Sequence, residues 1–241
     1  MLHKTRGIVF KVTDYGESSV IVQIFTEKFG LQSYIINGVK KPKAKIGRNM
    51  LQPLHLLDLV VYHKNTGNVQ RIAELKNSPV LQTIPYNVIK SSIAIFLNEV
   101  LYKAVRQQSA DENLFGFIFN AIEWMDHQTT GLANFHLLFL VRLTRYLGFY
   151  PDSYLMAEAD YFDMKNGIFS RYKPENALYL SPPHTQNFKD LLNCTFDNLA
   201  LIKFSNEERR YLLTKLLEYY ALHIDGFGHI HSHEILEEVL S

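Results

Sequence analysis

Ile36-Asn-Gly-Val-Lys-Lys-Pro-Lys-Ala-Lys-Ile-Gly-Arg-Asn-Met-Leu-Gln-Pro53 is the stretch on which the reading of this chain turns. Five cations, Lys40, Lys41, Lys43, Lys45 and Arg48, fall within nine residues. No acidic residue is expected near enough to pair with them. Pro42 and Gly47 keep the segment out of regular structure. Taken alone, such a charge run is a solvated surface loop. Here it interrupts a series of short β-patterned segments, so a rigid barrel would present it. A basic loop on a small barrel suits a nucleic-acid backbone.

On the N-terminal side, Arg6–Thr13 alternates with Ile8, Phe10 and Val12 on one face, the pattern of a half-buried strand. Asp14-Tyr-Gly-Glu17 turns the chain, and Val20, Val22 and Ile24 line a second strand. A turn at Glu27-Lys-Phe-Gly30 leads into a third strand, Leu31–Ile36. Beyond the basic loop, Leu54–Tyr62 alternates through Leu57, Leu59 and Val61. Asn65-Thr-Gly67 supplies residues that tolerate positive φ for a hairpin connection. Val69–Leu75 completes the set. Five short strands in this length suggest a closed or nearly closed barrel, because closure removes exposed edges, and the OB-fold is the common five-stranded solution.

From Pro85 the apolar period changes from two to about 3.6. Ile89, Ile93, Phe96, Leu97, Val100, Leu101 and Ala104 form a stripe on a helix ending near Gln107. Asn113–His127 reads as a second helix and Leu132–Leu147 as a third. The third is apolar on nearly every side and therefore central. Gly148 and Pro151 end it. Residues 152–182 read as an irregular insertion with a small hairpin around Asp163-Met-Lys-Asn-Gly167. Phe188–Cys194 is a short helix. Ser205-Asn-Glu-Glu208 is a capping box opening a helix to about His223, with Tyr211, Leu212, Leu216 and Tyr219 inward. Ile235–Leu240 makes a last amphipathic turn or two. The expected fold class is α+β: a five-stranded OB-fold barrel over residues 1–80, then an all-helical domain over residues 81–241.

Composition narrows the function. Residues 1–80 hold 12 Lys+Arg against 5 Asp+Glu, whereas residues 81–241 hold 13 against 19. Only the first part is expected to meet polyanions, and the acidic remainder to meet protein. The single cysteine, Cys194, allows no internal disulfide and suits a reducing compartment. No apolar run approaches a membrane span and Met1–Arg6 opens no signal peptide, so the expectation is an intracellular, soluble protein. No Gly-x-Ser-x-Gly elbow or phosphate loop occurs. Glu123/Asp126 and Glu237/Glu238 read as solvated acids on polar helix faces. Catalysis and cofactors are not expected.

Candidate nucleic-acid contacts are the five loop cations with Arg6, and the aromatics Tyr34, Phe29 and Tyr15, which flank turns on the basic side. His229-x-His231-x-His233 has the residue types of a metal site. It precedes a helix start and has no fixed carboxylate partner, so no metal is expected. Arg142 and Arg145 interrupt the most apolar helix. Pairing with an acid such as Glu99, or snorkelling, would explain them. The functional alternative is an anion hook beside an apolar groove formed by Leu138, Phe139 and Leu143, suited to an acidic peptide with a free carboxylate.

Several segments resemble, in order and spacing, the RecO family of recombination mediators. They are Gly7-Ile-Val-Phe, Tyr15-Gly-Glu, Phe25-Thr-Glu-Lys-Phe-Gly30, Asn37-Gly-Val-Lys-Lys-Pro-Lys and Leu51-Gln-Pro53. Further on, Tyr146-Leu-Gly-Phe-Tyr-Pro-Asp152 resembles the family's Pro-Asp junction, and Ser232-His-Glu-Ile-Leu-Glu-Glu-Val-Leu its ending. The resemblance implies a cytoplasmic, nucleoid-associated protein of DNA repair without enzymatic turnover. It would bind single- and double-stranded DNA, anneal complementary strands and help load RecA onto DNA coated by single-strand binding protein. Implied partners are RecR and the C-terminal tail of that binding protein. Many relatives carry two cysteine pairs after the Pro-Asp junction that hold a structural zinc. Residues 153–182 contain no cysteine, so that four-ligand site is missing. Tyr161, Phe162, Ile168 and Phe169 are expected to hold the segment instead. An RNA-binding barrel, or a protein adaptor with an idle loop, is the alternative that the residues leave open.

Overall fold

The computed structural model describes residues 1–42, 44–64, 68–106 and 109–240. Lys43, the Asn65-Thr-Gly67 connection and Gln107 lie outside the described residues, and the helix expected to end near Gln107 ends at Ala104, capped by Val105. Five strands, β1 (Leu2–Tyr15), β2 (Ser19–Thr26), β3 (Gly30–Ile36), β4 (Leu56–Tyr62) and β5 (Gln70–Asn77), close a barrel in the order β1-β2-β3-β5-β4. β1 pairs with both β2 and β4, and β3 runs parallel to β5. This is an OB-fold barrel.

Its interior is one apolar cluster that includes Val9, Val20, Val22, Ile24, Tyr34, Leu57, Leu59 and Val61. Gly7 permits a close approach there: a Cβ on it would stand 2.6 Å from Ile24 Cγ2 and 2.8 Å from Leu59 Cδ1. The expected parity of β1 needs one correction. The register shifts between Val9 and Lys11, so Val9 and Val12 belong to the interior cluster and Phe10 sits at a bulge. Phe10 instead stacks on Phe25 with centroids 5.7 Å apart, and Phe25 meets Phe115 of a helix at 5.9 Å. Both faces of β1 are therefore apolar.

The chain forms two compact units, Met1–His127 and Gln128–Ser241. In the first, α1 (Val88–Ala104) and α2 (Glu112–His127) accompany the barrel. Asn98 Nδ2 donates to Phe10 O at 2.8 Å, and Arg6 packs against Phe119. A buried polar latch fixes the entry to α1. The Asp126 carboxylate accepts from the amides of Gln82, Thr83 and Ile84 at 2.7, 2.9 and 2.8 Å. Lys90 Nζ donates to Thr83 Oγ1 at 2.6 Å and to Asp126 O at 2.8 Å. Asp126 is thus 3% exposed, not the solvated acid its helix position suggests.

The second unit is built on α3 (Phe135–Leu147), buried over most of its length and ended by Gly148 at φ +87°. Around it stand α4 (His184–Asn193), α5 (Asn206–His223) and α6 (Ser232–Val239). The capping box is formed: Ser205 Oγ accepts from Glu208 N at 3.2 Å while Glu208 Oε2 accepts from Ser205 N at 2.7 Å. Tyr220 Oη donates to Leu140 O at 2.7 Å and ties α5 to α3.

Within residues 152–182 three short strands, β6 (Tyr161–Asp163), β7 (Ile168–Ser170) and β8 (Tyr179–Leu180), form an antiparallel sheet in the order β7-β6-β8. Phe162 and Phe169 are buried, and Phe162 packs on Phe188 at 4.8 Å; Ile168 is exposed instead of contributing. Asp163 organises the turn, accepting from the amides of Lys165 and Asn166 and from the side chains of Asn166 and Asn176. Burial alone would raise its carboxyl, but these hydrogen bonds hold it below the usual range.

Candidate nucleic-acid interface

The basic loop joins β3 to β4 across one end of the barrel. Val39 and Leu51 are buried in the interior cluster and Ile46 packs against it, so three apolar anchors fix the backbone. Between them Lys40, Lys41, Lys45 and Arg48 are exposed. Arg48 belongs to a 3-10 turn, Arg48–Leu51.

The loop is not without a counter-charge, as the sequence suggested. Asp14 stands 2.8 Å from Arg48 Nη1 and 3.4 Å from Lys40 Nζ. Its slight burial acts to raise the carboxyl, but bonding to Lys40 and the charges of Arg48 and Lys40 hold it below the ordinary value. Because these groups are largely exposed, the pairing is worth little and an incoming polyanion can displace it. Lys41 and Lys45 form no ion pair within 4.0 Å among the described residues.

The other sequence candidates divide. Arg6 commits its fork to Glu27, with contacts of 2.7 and 3.1 Å, and lies 4.7 Å from the Phe119 ring centroid. Tyr34 is wholly buried in the barrel interior and cannot stack on a base; its parity matches that of Ile36. Phe29 is half-buried, stacked on His63 at 4.0 Å and edge-on to His3 at 5.3 Å. Tyr15 is exposed at the end of β1. Two residues were missed. Tyr62 is paired in register with Arg71, which is paired with Ile35, which is paired with Ile21. Tyr62 is 47% exposed and Arg71 is exposed, so an aromatic, a cation and two aliphatics form a row around the barrel. Odd–even parity against Leu57, Leu59 and Val61 could have found Tyr62.

In the second unit, Arg142 donates to Leu192 O at 3.4 Å and to Cys194 O, satisfying carbonyls at the end of α4. Glu99 pairs with Lys103 of its own helix at 3.0 Å. Arg145 is exposed, its guanidinium 4.5 Å from the Tyr150 ring centroid. Leu138, Phe139 and Leu143 are fully buried, so they form core and not a groove. His229 lies 4.8 Å from His231 and 5.5 Å from His233 between ring centroids, and no metal-binding group of three is present among the described residues. Nor is any helix of the described residues long and apolar enough to cross a membrane.

The barrel and the mainly helical remainder of the chain each match a known sequence family. The Recombination protein O N-terminal family matches residues 1–78 and the Recombination protein O C-terminal family matches residues 85–232. Among similar proteins, a DNA repair protein RecO of Azobacteroides pseudotrichonymphae is 36% identical over 239 residues, covering 99% of both chains. Proteins of the same name from Flavobacterium psychrophilum and Flavobacterium johnsoniae are 39% and 38% identical, again over 99% of each chain. The chain belongs to the Recombination protein O family, and with it to the proteins of DNA repair and recombination.

Proposed function

We propose that the barrel binds single- and double-stranded DNA through the β3–β4 loop, as a mediator without catalytic turnover. In this reading the protein works in the cytoplasm at the nucleoid. It anneals complementary strands and, with RecR, helps load RecA onto DNA covered by single-strand binding protein. The observation that carries it is the loop itself: exposed lysines on a backbone pinned by two buried apolar side chains and a third, Ile46, packed against the same cluster. A charged surface held this way loses little conformational freedom when a phosphate backbone docks.

A salt titration of DNA binding tests it. Neutralising four phosphates should give a log–log salt slope of about −3 on single strands. Changing Lys40, Lys41, Lys43 and Lys45 together to Ala should flatten the slope and weaken all sequences alike. Affinity unchanged within error would reduce the loop to a solvated surface.

For the acidic tail of the single-strand binding protein, Arg145 is the favoured hook, since it is exposed while Arg142 is tied to carbonyls of its own unit. Arg145→Glu should abolish tail-peptide binding and leave affinity for naked DNA intact. Arg142→Glu should instead lower the melting temperature. A folded Arg145→Glu protein that still holds the peptide at full strength moves the tail site elsewhere.

A further inference from the structure

Resting on that DNA-binding reading, we propose that a groove beside the basic loop is a pocket for one unpaired nucleobase, whose flanking phosphates lie on the loop. The groove runs between the end of the 3-10 turn, the segment after β5 and the start of α1. Tyr86, Val80 and Ile95 open onto it at 87%, 60% and 52% exposure. A ring and two aliphatic side chains displayed together are a stacking surface.

The polar lining is uncharged and oriented. Gln52 Nε2 donates to Arg48 O at 3.3 Å, and Asn77 Nδ2 donates to Met50 O at 3.1 Å. Each amide nitrogen is therefore spoken for, which turns the carbonyl oxygen of the same group away. Those two oxygens make no hydrogen bond among the described residues. They are acceptors in a slot that Asn49, His55 and Ser91 also line, and every base has an N–H on its pairing edge to offer them. An inserted Leu or Phe side chain would leave both acceptors unmet, at a desolvation cost.

Charge is arranged in the complementary way. No Lys, Arg, Asp or Glu lines the groove, yet Arg48 directly precedes Asn49 at its rim. A nucleotide divides along the same boundary, with an anionic phosphate outside and a neutral ring inside. The walls are also preset. Leu81 and Ile84 lie on the segment whose amides Asp126 clamps, so little ordering remains for the ligand to do.

Binding of the full chain to single strands of about twelve nucleotides, intact or with a central abasic run of equal charge, tests the pocket. Wild type should prefer the intact strand by about tenfold or more, the range of stacking on one base. Tyr86→Ala should erase the preference without changing the salt slope, and Tyr86→Phe should keep it. The exposure of Tyr86 makes misfolding of these variants easy to exclude by melting. If Tyr86→Ala retains the preference, or Tyr62→Ala alone removes it, the pocket is overturned while DNA binding stands. Absence of salt-dependent binding in wild type would overturn both readings together. An acidic peptide with a terminal aromatic residue that loses affinity in Tyr86→Ala, with the abasic ratio unchanged, would assign the groove to protein.

Discussion

Asp126→Ala should cost the first unit about 3–5 kcal/mol, because it removes one side of a buried charged network and strands the other. Three backbone amides lose their acceptor, although the Thr83 hydroxyl keeps the backbone carbonyl of residue 126, while the ammonium of Lys90, 3% exposed, is left without a nearby negative charge. Lys90 already loses hydration on burial, which lowers its pKa, and only the charge of Asp126 opposes that. Lys90→Met should cost less, since the carboxylate keeps its three amide donors and the apolar stem is replaced like for like. Chemical denaturation followed at the barrel would measure both. A loss below about 1 kcal/mol for Asp126→Ala would mean the latch is dispensable.

The second large effect depends on pH. His136 is buried on α3, and burial first, then the nearby Arg209 charge, pushes its pKa down from 6.5 to about 3. The folded state therefore refuses a proton that the unfolded chain accepts. Stability from the neutral imidazole is complete above about pH 6.5 and falls by about 1.4 kcal/mol per unit as pH drops toward 3. At pH 5 the loss is about 2 kcal/mol. His136→Leu should flatten the wild-type decline between pH 7 and 5 whatever it does to stability at pH 7. His55 is also pushed down by burial and contributes a slope of the same sign, so the difference between variant and wild type is the quantity to read. Parallel pH profiles would remove His136 from the account.

Much of the barrel could be read from alternation alone, because β2 has one face inside and Val20, Val22 and Ile24 report it directly. β1 defeated the same rule. Its outer face is covered by Phe25 and α1, so Ile8, Val9 and Phe10 are all buried and the bulge leaves no polar residue to mark it. Tyr34 was placed by nearness to cations, when its spacing from Ile36 already fixed it inside. Long-range pairings were out of reach: Asp14 meets Arg48 across 34 positions, and Asp126 meets Gln82 across 44. The capping box and Gly148 were legible because their partners lie within a turn. The hairpin within the cysteine-less insertion was legible too, but its hub, Asp163, draws on Asn176 from thirteen residues away.

The barrel closes unevenly. β1 pairs with β2 and with β4 along most of their lengths, whereas the described parallel contact of β3 with β5 is two residues long, Tyr34 with Gln70 and Ile35 with Arg71. That clasp holds few backbone hydrogen bonds, and local opening is least costly where such bonds are fewest. The row from exposed Tyr62 and Arg71 to half-buried Ile35 and Ile21 crosses the clasp. A strand lying along that row would grip both sides of it, so occupancy and closure are thermodynamically linked: each makes the other more favourable by the same factor. The weakest seam of the cylinder is thereby the one that a bound ligand would suture.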